Sequence, residues 1–318
     1  MHTTVPDDLQ RQVQHLSWLA SDPVRQLTRL RSVELAPVLP PPIQHYDGSP
    51  KTLALQLLDG STRSLDLMAR AAKDVSPIPA SVDREDYFPN YHWSYWRSGL
   101  IDFERVRHAF GKGRSLDRPS LLDLGSASGR VVRHALTADE PWAVAGCDID
   151  QRNVDWMLQH LPRELLAFQN TIFPHLPLPD ASVDVVTAFS VFTHFDKLED
   201  AWLLELRRIL RPGGIAYITA HTENVWRRIG ERPDEVARMI TCNADWSEPK
   251  GIGLSRDSFR RSMPRDHFVL RFGAAGAYVG QAFHTEKYIR SRWGRLFTVE
   301  GIHDAGHNDY QDVVVLRK

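Results

Sequence analysis

The sequence predicts an α/β fold in which a mostly parallel sheet ends in an antiparallel hairpin. From about residue 119, short apolar strands alternate with helical segments, a pattern typical of parallel sheets with helices on their faces. The breaker run Pro212-Gly213-Gly214 ends the last helix of this alternation. Near the end of the chain, two β-rich segments at 296–302 and 312–316 flank a polar connection at 304–309, which predicts a hairpin.

The alternation predicts each element in turn. Strands are expected at 120–124, 142–147, 165–168, 183–189 and 214–220, and helices at 129–136, 153–160 and from 196 or 197 to 210. Residues 222–283 are too many for a plain loop, so they are interpreted as an insertion on the substrate side. The main domain is expected to cover residues 116–318.

Residues 1–115 are expected to form an N-terminal extension that partly covers the ligand site. Residues 1 to about 45 are expected to form a polar helical segment followed by the proline run at 37–42, which is a linker or an extended wrap because it cannot lie inside a helix. A short helix is expected at about 64–73. The aromatic-dense stretch 87–96 has two interpretations. It either lines a pocket for a flat or sugar-like acceptor or, as we favour, packs as a lid on the sheet.

Composition excludes several classes of protein. The chain has 318 residues, with 39 basic and 40 acidic side chains and a formal net charge of −1, which favours neither nucleic acid nor an anionic membrane as a partner. The two cysteines have no CxxC spacing, and no histidine and carboxylate cluster has metal-ligand spacing, so no metal site is expected. Without a signal-peptide pattern or a long apolar segment, the expectation is a cytoplasmic protein with no membrane span. Nothing in the sequence indicates the oligomeric state.

The first predicted strand ends in a loop of small residues. Asp123 lies at the strand end, and Gly125, Ala127 and Gly129 follow it. Small residues let a ligand approach the backbone, and the helix that follows points its free amides at the ligand. Such a loop is also found in plain tight corners between a strand and a helix.

The second predicted strand carries another acid. Asp148 ends it, 23 residues after Gly125, near the spacing at which a carboxylate accepts hydrogen bonds from ribose hydroxyls. It can also be a surface carboxylate, and Asp150 is the better candidate for capping the next helix. Loop and acid together indicate a ligand that contains adenosine. The loop does not match G-x-G-x-x-G, and an acid beside it suits an ammonium better than a diphosphate, so S-adenosylmethionine is favoured.

Over residues 120–220 the chain resembles the class I S-adenosylmethionine-dependent methyltransferases. The matching runs are Leu122-Asp123-Leu124-Gly125-Ser126-Ala127-Ser128-Gly129-Arg130, Gly146-Cys147-Asp148-Ile149-Asp150, and residues 176–180, 183–186, 190–195 and 206–214. The resemblance is greatest to bacterial members found beside enzymes that modify glycans or natural products. It implies a Rossmann-like seven-stranded mixed sheet with an antiparallel last strand, and S-adenosyl-L-homocysteine as the product.

The resemblance also implies the cofactor-binding residues. Asp123, Gly125 and Gly129 hold the methionine end, Asp148 the ribose, and Ile149 one face of the adenine. The other residues assigned to this site are Arg97, Ser126, Ala127, Asn170 and Ser190. Ala127 stands where the family usually has glycine, and no acid follows the third strand, where Asn170 is expected to accept a hydrogen bond from the adenine amino group. Arg97 is expected to pair with the methionine carboxylate, the alternative being a surface arginine.

Two histidines are candidate general bases for a hydroxyl acceptor. His194 and His221 follow the fourth and fifth strands, at the carboxyl edge where ligands bind in such sheets. Each is also interpretable as a packed histidine whose nitrogens bind the backbone, and His284 is a third candidate with less support. The expected reaction is O-methylation of a small-molecule or carbohydrate acceptor. The alternatives are a macromolecular acceptor, a scaffold that binds the cofactor without catalysis, and a dinucleotide oxidoreductase.

Overall fold

A mixed sheet forms the centre of the molecule. The computed structural model describes residues 34–46, 51–84, 87–111, 117–195, 197–232, 256–271, 280–308 and 310–318. The strands are β1 (Thr52–Gln56), β2 (Thr62–Asp66), β3 (Ser120–Leu124), β4 (Ala143–Asp148), β5 (Leu166–Gln169), β6 (Val183–Ala188), β7 (Leu210–Thr222), β8 (His267–Arg271), β9 (Gly280–His284), β10 (Thr298–His307) and β11 (Gln311–Arg317). The helices are α1 (Leu67–Lys73), α2 (His92–Gly111), α3 (Val132–Leu136), α4 (Gln151–His160), α5 (Glu199–Ile209), α6 (Glu223–Glu231) and α7 (Glu286–Arg292).

The sheet has the order β5-β4-β3-β6-β7-β11-β10. Its first five strands are parallel, and β11 joins β7 antiparallel, with β10 completing the hairpin. The α/β class and the antiparallel hairpin at the C-terminus are therefore confirmed. Two further strands extend the sheet, because β9 pairs in parallel with the end of β7 and antiparallel with β8.

Each face of the sheet buries its own apolar cluster. One cluster joins the strands to α5 and to the segment after α7, through Trp202, Leu206 and Trp293. The other joins the strands to α2, α3 and α4. Every residue of β6 is buried, as expected for a central strand with helices on both faces. The sheet thus holds its carboxyl edge rigidly, and the loops of that edge carry the candidate site.

The N-terminal extension differs from its prediction, because the β1–β2 hairpin and the long helix α2 were not expected. Residues 62–66 form the second strand of the antiparallel β1–β2 hairpin, so the helix expected at about 64–73 begins only at Leu67. Asp66 ends the strand and caps α1, since its side chain accepts a hydrogen bond from the amide of Ala69. The polar helix predicted before residue 45 lies largely outside the described residues.

The segment expected as an insertion contains α6, β8 and β9 in its described parts. They enclose a small apolar cluster of their own, with Trp226, Phe259 and Phe283 at its centre. Within the described ranges no helix has the length and apolar character needed to span a bilayer.

Candidate functional site

Three residues of the loop between β3 and α3 have left-handed backbone conformations. Gly125 has φ +73°, Ala127 φ +47° and Gly129 φ +82°. A Cβ at Gly125 would lie 2.5 Å from Cγ2 of Val191, so the loop packs directly against the turn that follows β6. Ala127 is an L-residue in a conformation that favours glycine. The position at which the sequence departs from the family pattern therefore has the backbone geometry of a glycine.

Asp148 connects the ends of β3 and β4. Its Oδ2 accepts a hydrogen bond from the amide of Ala127 at 2.8 Å, and its Oδ1 accepts one from the amide of Asp150 at 2.9 Å. A carboxylate has about four acceptor positions, so two amide bonds leave capacity for ribose hydroxyls. Asp150 caps α4 through its side chain, as expected from its position. Ser126 is buried, and its hydroxyl donates to the carbonyl of Asp123 at 2.7 Å.

The carboxyl of Asp123 is buried under the loop. It is 2% exposed, and the hydroxyl of Thr187 donates to its Oδ1 at 2.6 Å. Burial raises the pKa of Asp123 to about 7, although the Thr187 hydrogen bond and the charge of Arg130 act in the opposite direction. A cation placed beside this carboxyl would favour its ionised form. The ammonium of the expected cofactor is such a cation.

Asn170 offers an unused acceptor at the end of β5. Its side-chain amide donates to the carbonyl of Thr171 at 3.1 Å, whereas its Oδ1 is buried with no hydrogen-bond partner in the described part of the chain. A buried unpaired oxygen is unfavourable unless a ligand donor reaches it. An adenine amino group is a donor of the right kind, so the residues present fit the expected cofactor. Ile149 directly follows Asp148 and is half-buried. The resemblance implies that it contacts one face of the adenine.

The helix α2 lies on the loop at residues 123–129, which we call the cofactor loop after the ligand expected there. A Cβ at Gly99 would lie 2.1 Å from the carbonyl oxygen of Arg130, and the hydroxyls of Tyr95 and Ser128 are 3.2 Å apart. Arg97, on the same helix, is half-buried and makes no hydrogen bond or ion pair with any described residue. Its guanidinium is therefore available to a carboxylate.

A buried ionic network beside the loop was not anticipated from the sequence. Arg130 donates to Oδ2 of Asp102 at 2.6 Å and lies over the rings of Tyr87 and Phe189, each 5.5 Å away. The other oxygen of Asp102 is 3.1 Å from Nδ1 of His307. Despite its burial, these two partners lower the pKa of Asp102 to about 2. Only the position of Arg130 next to Gly129 was a signal in the sequence, because its partners are distant along the chain.

A second polar group occupies the carboxyl ends of β6 and β7. The amide of Ser190, at φ +57°, donates to Thr219 Oγ1 at 2.7 Å. The Ser190 hydroxyl donates to Oε1 of Gln311 at 3.1 Å, and the side-chain nitrogen of Gln311 is 3.4 Å from Nε2 of His221. Ser190 and His221 thus lie at one edge of the sheet, beside the cofactor loop.

The two candidate bases differ in environment. His194 is half-buried in the 3₁₀ turn after β6, and its amide donates to the carbonyl of Val191. His221 is fully buried, and burial lowers its pKa well below the usual value. Its Nδ1 has no hydrogen-bond partner within the described ranges. His284 is completely buried and binds Glu199 through Nε2 at 2.5 Å.

Comparisons with known proteins match the central part of this chain to methyltransferases. A family model described as a methyltransferase domain matches residues 122–218. A curated relative from Mycolicibacterium smegmatis, named as a probable S-adenosylmethionine-dependent methyltransferase, is 34% identical over 128 residues. That match covers 40% of this chain and 45% of the relative, so the chain spans less than half the length of the curated relative it matches.

Two solved structures are also similar to this chain. One is an S-adenosylmethionine-dependent methyltransferase from Mesorhizobium loti, with 13% identity, coverage of 68% of this chain and 98% of that chain, and a TM-score of 0.46. The other is a protein from Pyrococcus horikoshii, with 18% identity, coverage of 75% and 93%, and a TM-score of 0.46.

Proposed function

We propose that this chain, which over residues 122–218 belongs to the class I S-adenosylmethionine-dependent methyltransferase family, methylates an oxygen of a small-molecule or glycan acceptor. The observation that carries the proposal is the loop that follows Asp123. In this loop the amide of Ala127 donates a hydrogen bond to Asp148 at 2.8 Å. In this arrangement the loop and the two acids receive the methionine and ribose parts of one ligand.

Each binding residue is assigned to one part of the ligand. Asp123 takes the ammonium, Arg97 the carboxylate, Asp148 the ribose hydroxyls and Asn170 the adenine amino group. Gly125, Ser126, Ala127 and Gly129 form the backbone along which the ligand lies, and Ile149 and Ser190 flank it. Holding the ligand in a fixed orientation lowers the barrier, because a displacement at carbon requires alignment of the reacting atoms.

When bound, S-adenosylmethionine supplies an electrophilic methyl group on a sulfonium. On attack by an acceptor hydroxyl, the bond from sulfur to methyl would break and S-adenosyl-L-homocysteine would leave, and the contribution of this chain would be a histidine that takes the hydroxyl proton. We assign this role to His194, because it is half-buried at the carboxyl edge and so open to an acceptor. His221 is the second candidate. Its lowered pKa keeps it neutral and able to accept a proton, but makes it a weaker base.

A turnover assay tests the proposal. The purified protein is incubated with methyl-labelled S-adenosylmethionine and a panel of hydroxyl-bearing phenols and glycans, and labelled product is separated and counted. His194→Ala is expected to lower turnover about 10²–10⁴-fold with cofactor affinity unchanged. The matched control is His175→Ala, an exposed histidine away from this edge. Near-normal turnover in His194→Ala moves the role to His221, tested by His221→Ala.

Cofactor binding is tested separately. Arg97→Ala is expected to weaken S-adenosylmethionine binding by about 10–100-fold in calorimetry, since a charge-assisted hydrogen bond is lost. The exposed Arg163→Ala serves as the control. Binding without turnover on any acceptor class favours the scaffold alternative, and methylation of protein or nucleic acid favours a macromolecular acceptor.

A further inference from the structure

Three side chains outside the cofactor loop converge on one point. They are Glu199 at the start of α5, His267 at the start of β8 and His284 at the end of β9. One ligand atom from each lies within 4.8 Å of the other two. The sequence did not indicate this cluster, because its members are up to 85 residues apart and share no local spacing.

From this cluster we propose that Glu199, His267 and His284 bind a divalent transition-metal ion of the zinc class. Two imidazoles and one carboxylate are a donor set that zinc and its neighbours accept. In the structure Oε2 of Glu199 is 2.5 Å from Nε2 of His284 and 4.0 Å from Nε2 of His267. A tetrahedral ion with bonds of about 2.0–2.1 Å needs donors about 3.3 Å apart. The two separations from Glu199 therefore change by under about 1 Å, and the third, which is at most 4.8 Å, changes by up to about 1.5 Å.

The carboxylate is already oriented for this role. Its Oε1 accepts hydrogen bonds from the Trp293 indole at 2.8 Å and from the Tyr288 hydroxyl at 3.1 Å. These two donors fix the plane of the carboxylate and leave Oε2 directed at the histidines. Hydrogen-bond donors that hold a ligand's second oxygen are typical of protein metal sites.

The two imidazoles are stacked and differ in their exposure. The rings of His267 and His284 are stacked, with centroids 4.9 Å apart. His284 is fully buried, whereas the side chain of His267 is 21% exposed.

A bound ion would cross-link the inserted strand β8 to the carboxyl edge of the sheet. His267 belongs to the inserted strand β8, and His284 pairs with Thr222 at the end of β7, one residue from the candidate base His221. Three protein ligands leave one position of a tetrahedral ion for water. The site rests on its own residues, so it holds or fails independently of the proposed methyl transfer.

Zn²⁺ titration of the metal-free protein tests the site. Protein treated with a chelator is titrated by calorimetry, and Co²⁺ replaces Zn²⁺ in a parallel experiment to report coordination through its visible absorption. We expect one ion per chain, a higher Tm on binding, and at least about 10-fold weaker binding in His267→Ala and in Glu199→Gln. The control is His108→Ala, whose histidine pairs with Asp59 at 2.8 Å in a partly exposed ion pair.

The outcomes separate the site from a plain ion pair. The proposal is overturned if the unsubstituted protein does not bind Zn²⁺, or if both variants bind it as tightly as the unsubstituted protein does. Glu199 and His284 are then a buried hydrogen-bonded pair. His267→Ala alters a partly exposed side chain, so it keeps the test valid if Glu199→Gln fails to fold. S-adenosylmethionine binding by His267→Ala, measured in the same samples, distinguishes loss of the metal from loss of the cofactor site.

Discussion

At the scale of single residues, we expect Asp123 to determine how the proposed cofactor site responds to pH. Its pKa of about 7, raised by burial, means that the ligand-free site is largely protonated below neutral pH. The unfolded chain has its aspartate pKa near about 3.9. Asp123 therefore contributes stability that is full below about pH 4 and is lost as the pH rises through about 7. An ammonium beside the carboxyl would favour its ionised form over its protonated form.

We therefore expect cofactor binding to strengthen with pH. Binding pairs the ammonium with ionised Asp123, lowers its pKa and releases a proton. The dissociation constant should rise about tenfold for each pH unit below about 7 and level off above about 8. Calorimetry in buffers with different ionisation enthalpies measures both the affinity and the released proton. Asp123→Asn is the control, with weak binding that does not vary over this range, and a constant affinity in the unsubstituted protein would contradict the assignment.

Residue-scale prediction from sequence worked where the chemistry is local. Asp123, Gly125 and Asp148 lie at strand ends whose positions follow from periodicity, so their convergence on one edge could be predicted. The network of Arg130, Asp102 and His307 could not, since Asp102 and His307 are 205 residues apart. The roles given to Arg97 and His194 stay predictions until binding and turnover are measured.

At the scale of elements, α2 joins the N-terminal extension to the cofactor loop. Its contact depends on Gly99, where the helix backbone meets the carbonyl of Arg130 with no room for a side chain. The same helix holds Ser98, whose hydroxyl accepts from Arg130 at 3.2 Å. The helix therefore covers the loop by direct backbone contact, which only a glycine at this position permits.

We expect Gly99→Ala to push α2 away from the loop. The added methyl group would lie 2.1 Å from the Arg130 oxygen, and overpacking of this kind destabilises by about 1–3 kcal/mol. Cofactor affinity should fall with it, because Arg97 moves with the helix. Gly111→Ala is the matched control, since a Cβ at the end of the same helix meets nothing within 4 Å. Thermal unfolding and calorimetry measure both effects, and equal behaviour of the two variants would exclude tight packing at Gly99.

Elements were predictable where burial is periodic and were missed where it is not. The central strands and helices follow apolar patterns that the sequence displays. The β1–β2 hairpin was missed because each strand buries only one residue, which leaves no alternation to detect. The fifth sheet strand was expected at Gly214 but begins at Leu210, because the chain passes from α5 into the strand ahead of the glycines, and Gly213 bonds to Lys318.

At the scale of the whole molecule, the extension and the sheet share one core. Phe103, Val106 and Phe110 of α2 pack with Leu121 and Trp142, and the rings of Phe103 and Trp142 meet edge to face with centroids 5.6 Å apart. The expected division between residues 115 and 116 came from the change to strand–helix alternation at about residue 119. That pattern does not reveal which apolar faces meet, so the shared core was not predictable from it.

We expect the chain to unfold in a single transition, because a shared core couples α2 to the sheet. Phe103→Ala removes a fully buried ring and should lower the free energy of unfolding by about 3–5 kcal/mol. Denaturant unfolding followed by far-UV circular dichroism and by tryptophan fluorescence should give coincident curves that shift together. Met68→Ala, on the exposed side of α1, is the control and should change stability by under about 0.5 kcal/mol. Two separate transitions, with Phe103→Ala moving only one, would show that the extension folds apart from the sheet.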